Sequence, residues 1–256
     1  MSRSRIAVFV AGVQKGGTTS LHSYLSDHAQ LAPPSRKELH VFDDEARDWA
    51  RPDYGDIETW FEPASSARHR FESTPVYIYW PPALGRLAAY NPDARLILVF
   101  RDPFERAWSQ WRMEYARGDE ALPFAAAIRA EPQRLTSLAP LDRARRVQSY
   151  IDRGRYGQQL RCALALFPRE QLLCLRSEDL REDHNAVLAR IADFLSIAPF
   201  QPVAPRTEHR TPAIEAEAAP TEDDLAFIAD SIGEDLDVFA DLSGLDVSAW
   251  PTALHR

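Results

Sequence analysis

The first 25 residues constrain the fold more than any other part of the chain. Arg5–Gly12 (RIAVFVAG) is a short, continuous, β-branched apolar run ending on glycine, and Thr18–Leu25 reads as a helix opened by Thr and Ser. Between them Gly12-Val-Gln-Lys15-Gly16-Gly17-Thr18-Thr19 makes a glycine-rich turn. A strand that passes through such a turn into a helix aims backbone N–H groups and the positive end of the helix dipole at one place. That arrangement holds anions.

Further short apolar runs at Phe71–Thr74, Arg95–Phe100 (RLILVF) and Gln171–Leu175 (QLLCL) alternate with helical patterns at Pro103–Arg117, Arg155–Phe167, His184–Leu195 and Thr221–Ile232. Continuous apolar strands alternating with helices predict an α/β fold whose parallel sheet is covered on both faces. Trp108, Trp111 and Tyr115 fall at helical spacing and read as core; Thr221 and Asp224 read as a capping pair. Pro199 to Pro220 reads as a loop. No repeat or second domain is visible, so residues 1–256 are expected to form a single domain.

Composition narrows the function. A formal net charge of −8 argues against wholesale nucleic-acid binding, which needs a basic stripe. Of the 30 basic residues only Lys15 and Lys37 are lysines. Cys162 and Cys174 are too few for a disulfide framework, have no zinc-site spacing and read as buried thiols. The apolar run after the basic Met1–Arg5 is too short for a signal segment or a membrane span, so a cytoplasmic location without a membrane span is expected.

The glycine turn matches the opening G-x-x-x-x-G of a P-loop and then departs from it. A nucleoside triphosphatase places Lys and then Ser/Thr after the last glycine, for the β/γ-phosphates and magnesium. Here Thr18 stands in the lysine's place, and Lys15 lies inside the loop. The Leu96–Phe100 strand runs into Arg101 rather than an acidic metal ligand. Both departures suit a phosphate-like ligand bound by protein charge without a metal, with a transferred group less charged than a γ-phosphoryl.

Three segments carry a family resemblance. QKGGTTSL at Gln14–Leu21 resembles the 5'-phosphosulfate loop of sulfotransferases that use 3'-phosphoadenosine 5'-phosphosulfate (PAPS). RDPFERAWSQW at Arg101–Trp111 resembles their 3'-phosphate segment, and Lys37-Glu38-Leu39-His40-Val41-Phe42-Asp43 is similar to the K-E-x-H-F-F-D run of the heparan sulfate 3-O-sulfotransferases. Glu72–Tyr77 and Arg153–Leu180 are weaker echoes. The resemblance implies a P-loop-type three-layer fold with a central parallel sheet of about five strands. It also implies in-line sulfuryl transfer from PAPS, leaving PAP (3',5'-bisphosphoadenosine), with no metal.

By the same resemblance Lys15 neutralises the bridging oxygen, and Gly16, Gly17, Thr18, Thr19 and Ser20 hold the 5'-phosphate. Arg101 and Ser109 grip the 3'-phosphate. Glu38 is the general base, with His40 beside it as a further catalytic candidate. Lys37, His40, Asp43 and Ser73 form the substrate side. Relatives close over the cofactor with a disulfide-bonded loop that this chain lacks, and Arg210 or Arg206 is the substitute candidate. Ser73 stands where some relatives carry an acceptor-contacting lysine, which disfavours a polysulfated acceptor and leaves a small molecule, glycan or lipid. A P-loop kinase, or a nucleotide-binding scaffold without chemistry, is the alternative.

Overall fold

The computed structural model describes residues 5–62, 67–206 and 219–255. In chain order the regular elements are β1 (Ile6–Gly12), α1 (Thr18–Ser26), β2 (Leu31–Ala32), β3 (His69–Ser73), α2 (Ala83–Tyr90), β4 (Arg95–Phe100), α3 (Pro103–Arg117), α4 (Phe124–Ser137), α5 (Arg145–Gln148), α6 (Tyr156–Leu164), β5 (Leu172–Arg176), α7 (Ser177–Glu182), α8 (His184–Leu195), α9 (Glu222–Ser243) and α10 (Pro251–Leu254). They pack as two compact units. One comprises Met1–Phe100 with Cys162–Glu208, the other Arg101–Arg161 with His209–Arg256.

The first unit is built on a five-stranded sheet in the order β2-β3-β1-β4-β5, every neighbouring pair parallel. Alternation along each strand sends successive side chains to opposite faces. Val8, Val10, Ile97, Val99 and Leu175 pack with Leu21 and Leu25 of α1 and with Val187, Leu188, Ile191 and Leu195 of α8. Phe9 points the other way, into an aromatic group in which Phe42 contacts Phe9, Tyr77 and Tyr90 at ring separations of 5.3–5.7 Å. With both faces covered, the central strands need the uninterrupted apolar runs seen in the sequence. The expected parallel α/β sheet of five strands is borne out.

In the second unit Ala107, Trp111, Phe124, Ala127, Ile128, Tyr150, Ile151, Ile228 and Ile232 form a separate core. α3 begins and ends where the sequence places it. Asp102 caps it by accepting from the Glu105 amide at 2.9 Å, Pro103 occupies the first turn, and Gly118 ends it in the left-handed conformation. The Thr221–Asp224 pair is a full capping box at the start of α9.

Three readings need correction. α9 runs on through Gly233 to Ser243, because the buried side chains of Leu236 and Phe239 outweigh the roughly 1 kcal/mol that a helical glycine costs. Tyr115 is 44% exposed, not core: it stacks on Trp111 from the last turn of α3, beyond the point where Phe124 covers Trp108 and Trp111. Cys162 is exposed, since it shares with Gln158 and Arg161 the solvent stripe of α6 at i, i+3 and i+4; Cys174 on β5 is buried. Among the described residues no helix is long and apolar enough to cross a membrane.

Asp102 is 1% exposed and also accepts from the Thr252 amide at 2.9 Å. Asp102→Ala strands both amides. It should lower stability by about 1–3 kcal/mol, read as a fall in the urea unfolding midpoint. An unchanged midpoint would refute this account of the cap.

Candidate active site

The glycine loop leaves the C-terminal end of β1 and is stitched to the neighbouring strand. The Val13 amide donates to the Val99 carbonyl at 2.9 Å, and the Gly16 amide donates to the Val13 carbonyl at 3.0 Å. A Cβ on Gly16 would lie 2.3 Å from the Val99 oxygen, so only glycine fits there. Lys15 (φ 70°) and Gly17 (φ 98°) both adopt the left-handed conformation, which turns the chain into α1. No side chain caps α1, and the N–H groups of Thr18, Thr19 and Ser20 have no acceptor among the described residues. These orphan donors, with the helix dipole behind them, fit a phosphate.

The second element of the site is the segment after β2. Glu38 (φ 61°) and His40 (φ 55°) are again left-handed, a conformation that non-glycine residues seldom adopt and that functional sites retain. Ser196, at the end of α8, is the other such residue besides Lys15 among those described. The Glu38 amide donates to the Ser73 carbonyl at 3.2 Å, and Ser73 lies in register with Val10 of β1. His22 of α1 joins the two elements, its Nδ1 lying 2.9 Å from Ser73 Oγ. The glycine loop and the Glu38 segment therefore meet at the C-terminal ends of adjacent parallel strands, where open α/β sheets bind ligands.

Four ionisable groups cluster there. Lys37 Nζ lies 2.5 Å from Glu38 Oε1, His40 Nε2 lies 3.5 Å from Glu38 Oε2, and His40 Nδ1 lies 2.8 Å from Asp43 Oδ2. Partial burial alone would raise the Glu38 carboxyl, but the contacts from His40 and Lys37 outweigh it and hold the group at about 2. Asp43, followed by Glu38, raises the His40 ring to about 9. At neutral pH the Glu38 carboxyl is therefore ionised and the His40 ring protonated, each held in its charged form by its neighbours. His22 is different: burial, then Lys37, hold its ring at about 4, so it is neutral beside this charged cluster.

The structure thus brings together Lys15, Gly16, Gly17, Thr18, Thr19, Ser20, Lys37, Glu38, His40, Asp43 and Ser73 in the first unit. Ser73 is fully buried, with its hydroxyl engaged by His22. Arg101 and Ser109 belong to the second unit. There Arg101 directs Nε and one terminal nitrogen to Glu105, both at 2.9 Å, and Ser109 lies on α3, 9% exposed. Arg206 is committed to α1, where it donates to Ser23 and pairs with Asp27. Arg210 lies outside the described residues.

A family model described as a sulfotransferase domain matches residues 5–210. The chain belongs to the sulfotransferase family. Human heparan sulfate glucosamine 3-O-sulfotransferase 6 is 30% identical over 191 residues, which are 73% of this chain and 51% of that protein. Human bifunctional heparan sulfate N-deacetylase/N-sulfotransferase 2 is 29% identical over 205 residues, 75% of this chain and 22% of that protein. The sulfotransferase chain thus spans about half or less of the length of these curated relatives. A sulfotransferase from Alicyclobacillus acidocaldarius superposes with a TM-score of 0.78 at 25% identity, covering 97% of this chain and 99% of that one. The sulfotransferase domain of a Synechococcus olefin synthase shares the fold at a TM-score of 0.50 and 17% identity, over 77% of this chain and 76% of that one.

The sequence assigns no role to His22, and it marks Glu72 and Thr74 only as members of the Glu72–Tyr77 echo, without the contacts that the structure shows. His22 was discoverable, since it lies on α1 one turn after Thr18, whereas the contacts of Glu72 and Thr74 depend on strand pairing.

Because Asp43 is the largest cause of the raised His40 pKa, Asp43→Asn should bring the ring midpoint down from about 9 toward its ordinary 6.5 in an NMR titration. A midpoint still near 9 would refute the assignment. The sign for stability follows: the raised His40 pKa contributes fully below about 6.5 and is lost as pH rises through about 9. The depressed Glu38 pKa contributes above its ordinary 4.5 and is lost as pH falls through about 2.

Proposed function

We propose that this sulfotransferase uses PAPS as donor and transfers its sulfuryl group to a hydroxyl or amine of a small-molecule, glycan or lipid acceptor. The observation that carries the proposal is the meeting of an uncapped, lysine-bearing glycine loop with a left-handed Glu38–His40 segment at the ends of β1 and β3. One part is suited to an anionic donor and the other to a proton acceptor. A glycan acceptor has added support from relatives whose names specify heparan sulfate. A cytoplasmic location is part of the same proposal.

PAPS, when bound, supplies the activated sulfuryl group; the chain's residues position, neutralise and deprotonate. The amides of Gly16 to Ser20 and the hydroxyls of Thr18, Thr19 and Ser20 hold the 5'-phosphate, and Lys15 balances charge on the bridging oxygen as it leaves. Arg101 and Ser109 take the 3'-phosphate on the strength of their motif. Glu105 occupies only part of the Arg101 guanidinium, which carries five N–H donors. Arg210 is a further candidate for covering the donor.

Glu38 takes the acceptor proton. At about 2 it is fully ionised at neutral pH, the form that accepts a proton, but its basicity is low while Lys37 and His40 hold it. Lys37 has a competing partner in the anionic donor. Any transfer of that contact from Glu38 raises the carboxylate's basicity at the stage when a proton must move. His40 remains charged between Glu38 and Asp43 and orients the base, and Lys37 lies on the acceptor side. The buried Asp43 and Ser73 side chains act there through His40 and His22 rather than by touching the acceptor.

Calorimetry should show PAP binding in metal-free buffer, with ADP much weaker. Arg101→Ala should weaken PAP about 10–100-fold through loss of a charge-assisted contact. Lys15→Ala should abolish transfer. If magnesium-ATP binds and PAP does not, the proposal fails and the loop is that of a divergent kinase.

A further inference from the structure

We infer that Glu72 is a positioning residue that sets the Glu38–His40 segment in its working conformation, an inference resting on the reading of Glu38 as base. Four consecutive amides of that segment are taken up by β3 and the turn that follows it. The Glu38 amide donates to the Ser73 carbonyl at 3.2 Å, and the Leu39 amide to Glu72 Oε1 at 3.1 Å. The His40 amide donates to Thr74 Oγ1 at 3.5 Å, and the Val41 amide to the Tyr77 hydroxyl at 3.1 Å. Three of these four acceptors are side-chain atoms, so the segment's conformation is written into residues 72–77 rather than into a strand ladder.

Glu72 has the central place among them. It receives the amide of Leu39, the residue between the two left-handed positions, and also the hydroxyl of Thr74, which itself accepts from His40. Losing the carboxylate therefore releases Leu39 directly and unfixes Thr74. Left-handed Glu38 and His40 each cost backbone energy, and without these anchors the segment has a cheaper conformation available.

Glu72 is 1% exposed, and its Oε2 has no hydrogen-bond partner among the described residues. Burial pushes its carboxyl up to about 7, although Thr74, Leu39 and His40 each pull it down; Asp43 adds to the rise, and the buried Tyr77 hydroxyl is the other ionisable group facing it. An anchor that serves as an acceptor rather than as a charge explains why such a group is tolerated. A glutamine, which keeps a carbonyl oxygen, should replace it.

The test compares Glu72→Leu, Glu72→Gln and Thr74→Val with the parent protein and with Glu38→Gln. The His40 ring is titrated by NMR, PAP affinity is measured by calorimetry, and turnover is measured as PAP release from PAPS with a pool of glycan, phenol and amine acceptors. In Glu72→Leu the His40 midpoint should fall from about 9 by a unit or more, as the ring loses its fixed contacts with Glu38 and Asp43. Its kcat should drop about 10-fold or more at unchanged PAP affinity. Glu72→Gln should restore both readouts. Should the leucine variant fail to fold, Thr74→Val should lower the midpoint in the same direction. A folded Glu72→Leu or Thr74→Val protein with His40 still near 9 and parental kcat would overturn the inference. Turnover surviving in Glu38→Gln would remove Glu38 as base, and the titration would still uphold or overturn the hold of Glu72 on the segment.

Discussion

Everything around the glycine loop depends on how closely it lies on the sheet. The Val99 carbonyl accepts from Val13 and leaves no room for a Cβ on Gly16, so the loop rests directly on the backbone of β4. From that seat the chain turns into α1 through the left-handed Lys15 and Gly17, and the first amides of α1 have no acceptor among the described residues. The apolar face of α1 is then fixed by Leu21 and Leu25 in the core, which locks the direction of those amides. A local steric limit at one glycine thus determines where an anion can be held.

Charge is divided between arginine and lysine in a way that follows their chemistry. Arginines supply many of the structural ion pairs, such as Arg47 with Asp56, Arg86 with Glu45, Arg129 with Asp224 and Arg134 with Glu120. A planar, forked guanidinium suits such fixed pairings. The two lysines, Lys15 and Lys37, both lie at the candidate site. A compact ammonium on a flexible stem can exchange partners as a reaction proceeds, which the proposed roles of both residues require.

The fold was largely legible in the sequence because its signals are local. β4, α3 and α8 have the bounds that apolar periodicity gives them, and the structure adds the caps, Asp102 and Gly118 on α3 and Asp183 and Ser196 on α8. β2 was not legible, since two residues carry no period. The glycine loop and the Glu38 segment could be read as motifs, but their meeting could not. It depends on β3 pairing with β1 across more than sixty residues, and on the His22–Ser73 contact that this pairing creates. Glu72 lies in a stretch whose family echo is legible, but nothing local in the sequence shows that its carboxylate takes up the Leu39 amide.

The anchoring of residues 38–41 to residues 72–77 also has an evolutionary consequence. The chain between these two stretches is a closed excursion whose ends are tied together, and the entropic cost of such a loop grows only logarithmically, by about 0.6 kcal/mol per doubling of length. A change in the length of that excursion is therefore cheap in closure entropy, so long as the four amide contacts that tie its ends together are kept.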